Sequence, residues 1–437
     1  MATPQHPLKP LDMSQFHVTE HVINGAHIRE YPRATADDQD APLVLHIKQY
    51  TPRNNPSPRR GDVTIIGGHA NGFPKELYEP LWDNLLEELN KHGVRIRAIW
   101  IADCAWQGRS GVLNQQKGLL GNDPGWYDYS RDIIHMINTF RMPRPLVAVG
   151  HSFGGNALAH AALLHPQLFH SLVLVEAAIV PTNGDLSANG GIPASASIRR
   201  RDVWPSRQHA AKAFAKSPFY QSWDPRVFDL WIEHGLRPKS AVSGTPDGPE
   251  EGEVTLTTSK HQELFTYLRP SWPAFDDAGK EIVHPEWFRD ALGDPQIPIT
   301  ALYPFSRHEA PSTYVCLVHL RPGTFFINGG LGTFLSEYEV NKKAAITGTG
   351  RGGSGGMKTG RVQNVTHPHY GHLLPLENPS FCAQQAATFL KAELAIWAAE
   401  EKEYEAWARH PNQQKTTASP EWKIQLDRMM KRPKPKI

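Results

Sequence analysis

The segment from Leu146 to Gly155 limits the fold of this chain more than any other. Its first four residues are apolar, a run typical of a strand that is covered on both faces. They lead into Gly150-His151-Ser152-Phe153-Gly154, and a helix-forming sequence begins at Asn156. Between a strand and a helix, a glycine–x–serine–x–glycine pattern forms a sharp turn that lifts the serine hydroxyl above the sheet edge. We therefore predict a nucleophile elbow at Ser152; the alternative is an ordinary glycine-rich turn.

Short apolar strands and amphipathic helices alternate on both sides of this turn. The strands are expected at 63–66, 95–103, 146–149 and 171–175, and the helices at 77–89, 127–140 and 156–164. This alternation predicts an α/β fold with a mostly parallel central sheet and helices on both faces. An earlier pair of alternating runs around Asn24-Gly25 predicts a β-hairpin.

The alternation stops between residues 181 and 298 and returns with strands at 324–328 and 361–366 and a long helix at 380–408. We interpret the interruption as an inserted, largely helical cap, rich in aromatic residues. The predicted division is a first core part at 1–180, the cap at 181–298, a second core part at 299–411 and a basic tail at 412–437.

A serine hydroxyl needs a neighbouring base before it becomes a strong nucleophile. The chain has 22 histidines, so position must select among them. In an open parallel sheet the reactive groups lie beyond the carboxyl ends of the strands, and His372 follows the last predicted strand. We predict His372 as the base, with His367 and His369 as competitors in the same loop.

The third member of such a site is a carboxylate that orients the imidazole and stabilises its positive charge. Glu176 stands at the end of the strand that follows the elbow, where an ionisable group is costly without a partner. We predict Glu176 as this acid. Glu337 or Glu339 in that role, or a purely structural salt bridge at Glu176, are the alternatives.

The oxyanion of an acyl-transfer intermediate needs backbone N–H donors. The residue after the nucleophile, Phe153, is the first predicted donor. The second is expected in the turn after the strand at 63–66, at Asn71 or, as the alternative, Ala70. His69 is a candidate brace for this turn.

Composition excludes several other classes of function. With 46 basic and 44 acidic residues, the net charge of +2 gives no indication of nucleic-acid binding. Three scattered cysteines predict neither a disulfide framework nor a zinc site, and no apolar run approaches the ~18 residues of a membrane span. The proposed chemistry needs no metal and no cofactor.

The glycine pattern at 348–353 lacks the strand and helix of a dinucleotide site. The arginines 199–201 predict a solvated surface, or an anion site if they line the pocket mouth.

Several longer stretches add a family resemblance to these predictions. They are the loops 69–72 and 371–375 and the segments 73–82, 97–100, 142–147 and 202–207. The chain resembles the α/β-hydrolases and, more narrowly, fungal peroxisomal hydrolases of secondary metabolism, including acyl-CoA hydrolases. The resemblance implies a hydrolase whose nucleophile, acid and base fall on Ser152, Glu176 and His372. It departs at Glu176, because the acyl-CoA hydrolase of this group has Asp there.

The resemblance also implies an acyl-CoA, or a related hydrophobic acyl ester, as substrate. A peroxisomal lipase or carboxylesterase and a non-catalytic ligand-binding protein of the same fold are the alternatives. The last three residues, Pro435-Lys436-Ile437, are a variant of the peroxisomal address Ser-Lys-Leu, and the amino terminus has no apolar segment of a secretory signal. We expect recognition by the peroxisomal import receptor, a cytosolic location if the signal is not read, and leave a homodimer open.

Overall fold

The computed structural model describes residues 15–181, 193–239, 252–287, 298–331 and 335–431. Its strands are β1 Phe16–Asn24, β2 Val44–Pro52, β3 Val63–Gly68, β4 Ile96–Ala102, β5 Leu146–His151, β6 Ser171–Val175, β7 Val203–Trp204, β8 Leu236–Pro238, β9 Val254–Leu256, β10 Arg269–Pro270, β11 Phe305–Ser306, β12 Gly323–Gly329 and β13 Val362–His367. Its helices are α1 Glu79–Lys91, α2 Gly108–Gln116, α3 Trp126–Thr139, α4 Phe153–Leu164, α5 Arg207–Phe214, α6 Pro218–Gln221, α7 Pro225–His234, α8 Lys260–Tyr267, α9 Glu309–Cys316, α10 Glu337–Ile346, α11 Leu374–Glu377, α12 Pro379–Ala408, α13 Asn412–Thr416 and α14 Pro420–Met430.

The main sheet has eight strands in the order β1-β2-β4-β3-β5-β6-β12-β13. β1 pairs antiparallel with β2, and β2 pairs antiparallel with β4. The other neighbours are parallel. This architecture confirms the predicted α/β fold. Because β3, β5, β6 and β13 are parallel, the loops that follow them meet at one edge of the sheet.

The central strand β5 shows why the sheet carries helices on both faces. Leu146 and Ala148 belong to a buried cluster that includes α3 and α4. Val147 and Val149 belong to a second cluster that includes α1 and α12. Alternate side chains of a strand point to opposite faces, so every residue of this run is buried, and each such valine or leucine stabilises the fold by about 1.5–3 kcal/mol.

The region between β6 and β11 holds the expected helices, α5 to α8. It also contains a small sheet in the order β7-β9-β8, which sequence reasoning missed. Trp204 and Trp231 of this region join the core cluster on the α1 side of the main sheet. The boundaries of the cap at 181 and 298 stay predictions, and residues 182–192, 240–251 and 288–297 of it lie outside the described residues.

The hairpin predicted at Asn24-Gly25 is wrong. β1 pairs with β2 instead, and the Gly25 N–H donates to the Leu43 carbonyl at 2.7 Å. The segment after Gly25 turns toward α3, where the Arg29 guanidinium forms a buried ion pair with Asp132 at 2.9 Å. Asp132 also accepts the Ala26 N–H at 2.8 Å. Breaking a buried ion pair by moving one partner away costs free energy. The contact with Asp132 therefore holds the segment after Gly25 against α3, although its local sequence predicted a strand.

The carboxyl-terminal region is more regular than its polar composition predicted. Exposed helices α13 and α14 lie within the predicted tail, and Pro435–Ile437 lies outside the described residues. In the part of the chain that the structure describes, no helix combines the length and the apolar character needed to span a membrane. The glycine-rich loop at 348–353 is closed by the Gly353 N–H, which donates to the Gly350 carbonyl at 3.1 Å, and it is tied to the turn before β12 by the Gly350 N–H, which donates to the Val318 carbonyl at 2.6 Å.

Candidate active site

Ser152 occupies a strained turn between β5 and α4. Its φ of 52° and ψ of −119° lie outside the regions that most residues adopt. A Cβ on Gly154 would stand 2.4 Å from the Gly68 carbonyl oxygen, and one on Gly150 would stand 2.8 Å from the Gly155 Cα. The two glycines therefore allow the tight approach of β3, β5 and α4. This geometry matches the predicted elbow and places the serine at the carboxyl edge of the sheet.

The structure brings the three predicted side chains into one hydrogen-bonded row. The Ser152 hydroxyl lies 2.8 Å from Nε2 of His372, and Nδ1 of His372 lies 3.1 Å from Oε2 of Glu176. With Glu176 ionised, the Nδ1–H donates to the carboxylate and leaves Nε2 to accept the serine proton. The arrangement is competent for nucleophilic attack on a carbonyl; the catalytic roles of the three residues stay predictions.

Glu176 reaches His372 because of its strand position. Its N–H donates to the Ile327 carbonyl at 2.9 Å, so β6 is bonded to β12 up to the last residue before the turn. Its Oε1 accepts the Gly329 N–H at 2.6 Å, which orients the carboxylate. The buried ammonium of Lys343 lies behind this turn, 3.4 Å from the Ala177 carbonyl. Burial lowers the pKa of Lys343 to about 8, although the nearby Glu176 carboxylate acts in the opposite direction.

The competing candidates lie elsewhere. Glu339 accepts hydrogen bonds from the N–H and hydroxyl of Ser336, in the capping box of α10, and Glu337 is exposed in the first turn of that helix. His367 accepts the backbone N–H of His369 at 3.2 Å. Within the described residues, none of these four side chains is bonded to Ser152 or His372.

The turn after β3 distinguishes the two candidate oxyanion donors. The Ala70 N–H donates to the Tyr78 hydroxyl at 2.9 Å and is therefore occupied. The Asn71 N–H has no acceptor among the described residues. Phe153 is the first residue of α4, so its N–H has no partner within the helix. The geometry thus favours Phe153 and Asn71 over Ala70, and their role stays a prediction.

Buried side chains hold this turn in place. His69 accepts the Cys104 N–H at 2.9 Å and donates to the Ala70 carbonyl, also at 2.9 Å, as its predicted bracing role requires. Gln107 donates to the Asn71 side-chain oxygen at 2.6 Å and accepts the Gly72 N–H at 2.8 Å. Sequence reasoning missed Gln107, because nothing in its local sequence indicates a contact 35 residues away.

Ser152 and His372 lie at the wall of a cavity of about 790 Å³. The cavity lies between the core loops and the inserted region. Much of its lining is aromatic, from both the core and the inserted region: Phe73, Phe219, Tyr220, Trp231 and Tyr267. A cavity of this size and character suits the acyl part of a hydrophobic substrate.

One partly buried ion pair interrupts the aromatic lining. Arg200 donates to the carboxylate of Glu263, and the Ser197 hydroxyl donates to the same group. Burial raises the pKa of Glu263, although the Arg200 charge acts in the opposite direction. Of the arginines 199–201, Arg200 therefore lines the cavity, whereas Arg201 donates to the Val203 carbonyl at 2.6 Å. Arg200 therefore agrees with the alternative expectation of a place at the pocket, but its guanidinium is paired with Glu263.

The described ranges contain no cluster of three or more histidine, cysteine or acidic side chains that could hold a metal ion.

Comparison with known proteins agrees with the fold. The sequence pattern of the alpha/beta hydrolase family matches residues 66–385. The chain is 39% identical over 399 residues to the type I acyl-CoA thioesterase mpaH' of Penicillium brevicompactum, covering 88% of this chain and 89% of the relative. It is 38% identical over 409 residues to the type I acyl-CoA thioesterase mpaH of Penicillium roqueforti, covering 90% and 92%. The crystal structure of the peroxisomal alpha-beta-hydrolase Lpx1 of Saccharomyces cerevisiae superposes with a TM-score of 0.64 at 17% identity, over 95% of this chain and 97% of that one. The chain belongs to the alpha/beta hydrolase family.

Proposed function

We propose that this chain is a serine hydrolase that cleaves an acyl-CoA thioester, or a related acyl ester, in fungal secondary metabolism. The observation that carries the proposal is the bonded row from Ser152 through His372 to Glu176, which opens onto an aromatic cavity of about 790 Å³. The two Penicillium relatives, both named type I acyl-CoA thioesterases, support the thioester as the bond that is cleaved.

The proposed reaction has two halves. In the first, Ser152 attacks the thioester carbonyl while its proton passes to Nε2 of His372. The N–H groups of Phe153 and Asn71 stabilise the oxyanion. The carbon–sulfur bond then breaks, and the CoA sulfur leaves with the proton held by His372. An ester between the acyl group and Ser152 remains.

In the second half, His372 takes a proton from water and the resulting nucleophile attacks the ester carbonyl. The bond to Ser152 breaks, the proton returns to the serine oxygen, and the free acid departs. Throughout, Glu176 keeps the Nδ1 proton of His372 in place and stabilises the imidazolium. The reaction requires water and no metal or cofactor.

A comparison of substrates with a matched pair of variants tests this proposal. Release of CoA from a panel of acyl-CoAs is measured alongside hydrolysis of p-nitrophenyl esters of the same chain lengths. Ser152→Ala should lower kcat by at least ~10³-fold. Ser217→Ala, which removes another hydroxyl from the cavity wall, should change it less than threefold. Unchanged acyl-CoA hydrolysis in Ser152→Ala would reject the assignment.

The same experiment separates the alternatives. Efficient hydrolysis of oxygen esters with little activity on acyl-CoAs would indicate a lipase or carboxylesterase. Absence of turnover, together with no labelling of Ser152 by a serine-reactive fluorophosphonate, would indicate a ligand-binding protein of this fold. We also propose a peroxisomal location through recognition of Pro435–Ile437 by the import receptor, a proposal that rests on the tripeptide and the family resemblance.

A further inference from the structure

We propose that His151, the residue before the nucleophile, is a positioning residue. It connects the loop of His372 to the turn after β3, which carries Ala70 and Asn71. The inference rests on the proposed function, because it assigns His151 a part in preparing Ser152 and its base for reaction. His151 is buried, with 1% of its surface exposed. Its hydrogen bonds run to other parts of the site, and none of those found in the structure reaches Ser152 Oγ or Glu176.

Three hydrogen bonds form a continuous row through His151. Its Nε2 lies 2.8 Å from the backbone carbonyl oxygen of His372. Its Nδ1 lies 2.8 Å from the hydroxyl of Tyr78. That hydroxyl in turn accepts the Ala70 N–H at 2.9 Å. One buried imidazole therefore connects two loops that stand 302 residues apart in the chain at their ends, Ala70 and His372.

The direction of each bond is fixed by the two ends of the row. The Ala70 N–H can only donate and the His372 carbonyl can only accept. His151 must therefore carry its proton on Nε2, and the Tyr78 hydroxyl must donate to Nδ1. Every donor then faces an acceptor only when His151 is neutral. Burial lowers the pKa of His151 well below the usual range of an imidazole, and the neighbouring His372 adds to this effect. A neutral His151 is thus the favoured form.

Each end of the row has a consequence for the chemistry. At one end, Tyr78 occupies the Ala70 N–H and fixes the preceding peptide, so the next N–H, that of Asn71, is left for the oxyanion. At the other end, the bond to the His372 carbonyl fixes the backbone from which the base reaches Ser152. A catalytic site needs its reacting groups held within about 0.5 Å of the positions at which the reaction can occur. A loose row would misplace the base and the oxyanion donor together.

Substitutions of His151 that differ in hydrogen bonding test the inference. His151→Leu removes both bonds. His151→Gln has one donor and one acceptor on its planar amide, so it should form both hydrogen bonds again. The matched control is His170→Leu: His170 is also largely buried, and its Nε2 lies 2.8 Å from the backbone oxygen of Glu393, but it stands before β6 at the opposite edge of the sheet. Tyr78→Phe breaks the row at its middle with a smaller change in volume.

The readouts are kcat and KM for acyl-CoA hydrolysis, the rate of fluorophosphonate labelling of Ser152, and the thermal midpoint Tm. His151→Leu should lower kcat and the labelling rate by about 10–100-fold, the size of effect seen when a hydrogen-bond partner that orients a metal-binding histidine is lost. KM should change less than about threefold, because the aromatic side chains that line the acyl cavity are untouched. His151→Gln should return kcat to within about fivefold of wild type, and Tyr78→Phe should lower kcat by about tenfold. His170→Leu should lower Tm and leave kcat within twofold.

Several results would overturn the inference. A folded His151→Leu with kcat and labelling within twofold of wild type would do so. So would a His151→Gln no more active than His151→Leu, or an equal loss in His170→Leu. If His151→Leu does not fold, an unchanged kcat in Tyr78→Phe decides against the row. If wild type labels but hydrolyses no acyl-CoA, the proposed substrate fails, and the labelling rates still rank the His151 variants.

Discussion

Replacing Glu176 by glutamine separates a catalytic acid from a structural one. The Gly329 N–H lies 2.6 Å from Oε1 of Glu176 and can only donate, so a glutamine must place its amide oxygen there. The amide nitrogen then faces Nδ1 of His372, which lies 3.1 Å from the other carboxylate oxygen. Because the amide nitrogen donates, Nδ1 must accept. The ring proton moves to Nε2 and blocks the nitrogen that should receive the serine proton.

The size of this effect follows from a known case of the same geometry. In the chymotrypsin-type serine proteases, the corresponding Asp→Asn change holds the histidine in the wrong tautomer and lowers kcat about 10⁴-fold. We expect Glu176→Gln to lower kcat by about 10³–10⁴-fold, which corresponds to about 4–5.5 kcal/mol of transition-state free energy. Glu176→Ala should be no less active than the glutamine variant, although glutamine is the closer match in shape.

The assay is CoA release under saturating substrate, with circular dichroism as the check on folding. Glu176→Asp is the control, since it keeps the carboxylate and the correct tautomer while shortening the side chain by one methylene. It should retain more activity than either neutral variant. A folded Glu176→Gln within tenfold of wild type would refute the reasoning, because a structural salt bridge predicts that the isosteric amide is tolerated.

Three further predictions concern the elbow, a partly buried histidine and the carboxyl terminus. Gly154→Ala should abolish activity and lower the free energy of unfolding by about 1–3 kcal/mol, because its Cβ would lie 2.4 Å from a backbone oxygen. The control is Gly93→Ala, where φ is +73° and no atom lies within 4 Å of the new Cβ. It should lower the free energy of unfolding by about 1–2 kcal/mol and leave kcat unchanged. Burial lowers the pKa of His160 to about 4. The unfolded state then binds more protons between pH 6.5 and 4, so the free energy of unfolding should fall by up to about 1.4 kcal/mol per unit as pH drops through this window; urea titrations of His160→Phe should lack that component. Deleting Pro435–Ile437 should move a fluorescently tagged chain from peroxisomes to the cytosol, and unchanged import would remove the proposed signal.

Sequence reasoning reached the fold because its strongest signals are local. The apolar run of β5 and the amphipathic pattern of α1 each predict their structure from a few neighbouring residues. The position of Glu176 could also be predicted, since the tip of a parallel strand next to the elbow must lie near the serine. His372 followed from the same rule, applied to the loop after the last strand.

What sequence reasoning missed depends on contacts between distant residues. The hairpin at Asn24-Gly25 failed because Asp132, more than a hundred residues away, binds the segment after the turn. The choice between Ala70 and Asn71 depends on the Tyr78 hydroxyl, whose direction only the folded structure gives. The connection from His151 to His372 likewise has no signature in either local sequence.

The central claim is that Ser152 carries the acyl group during hydrolysis, and mass spectrometry of the trapped intermediate tests it most directly. The chain is mixed with an acyl-CoA, quenched in acid within milliseconds, and digested. We expect the acyl mass on the peptide that contains Ser152, appearing together with one equivalent of CoA, and no adduct in Ser152→Ala. Rapid CoA release without acylation of that peptide, retained in Ser152→Ala, would contradict the account.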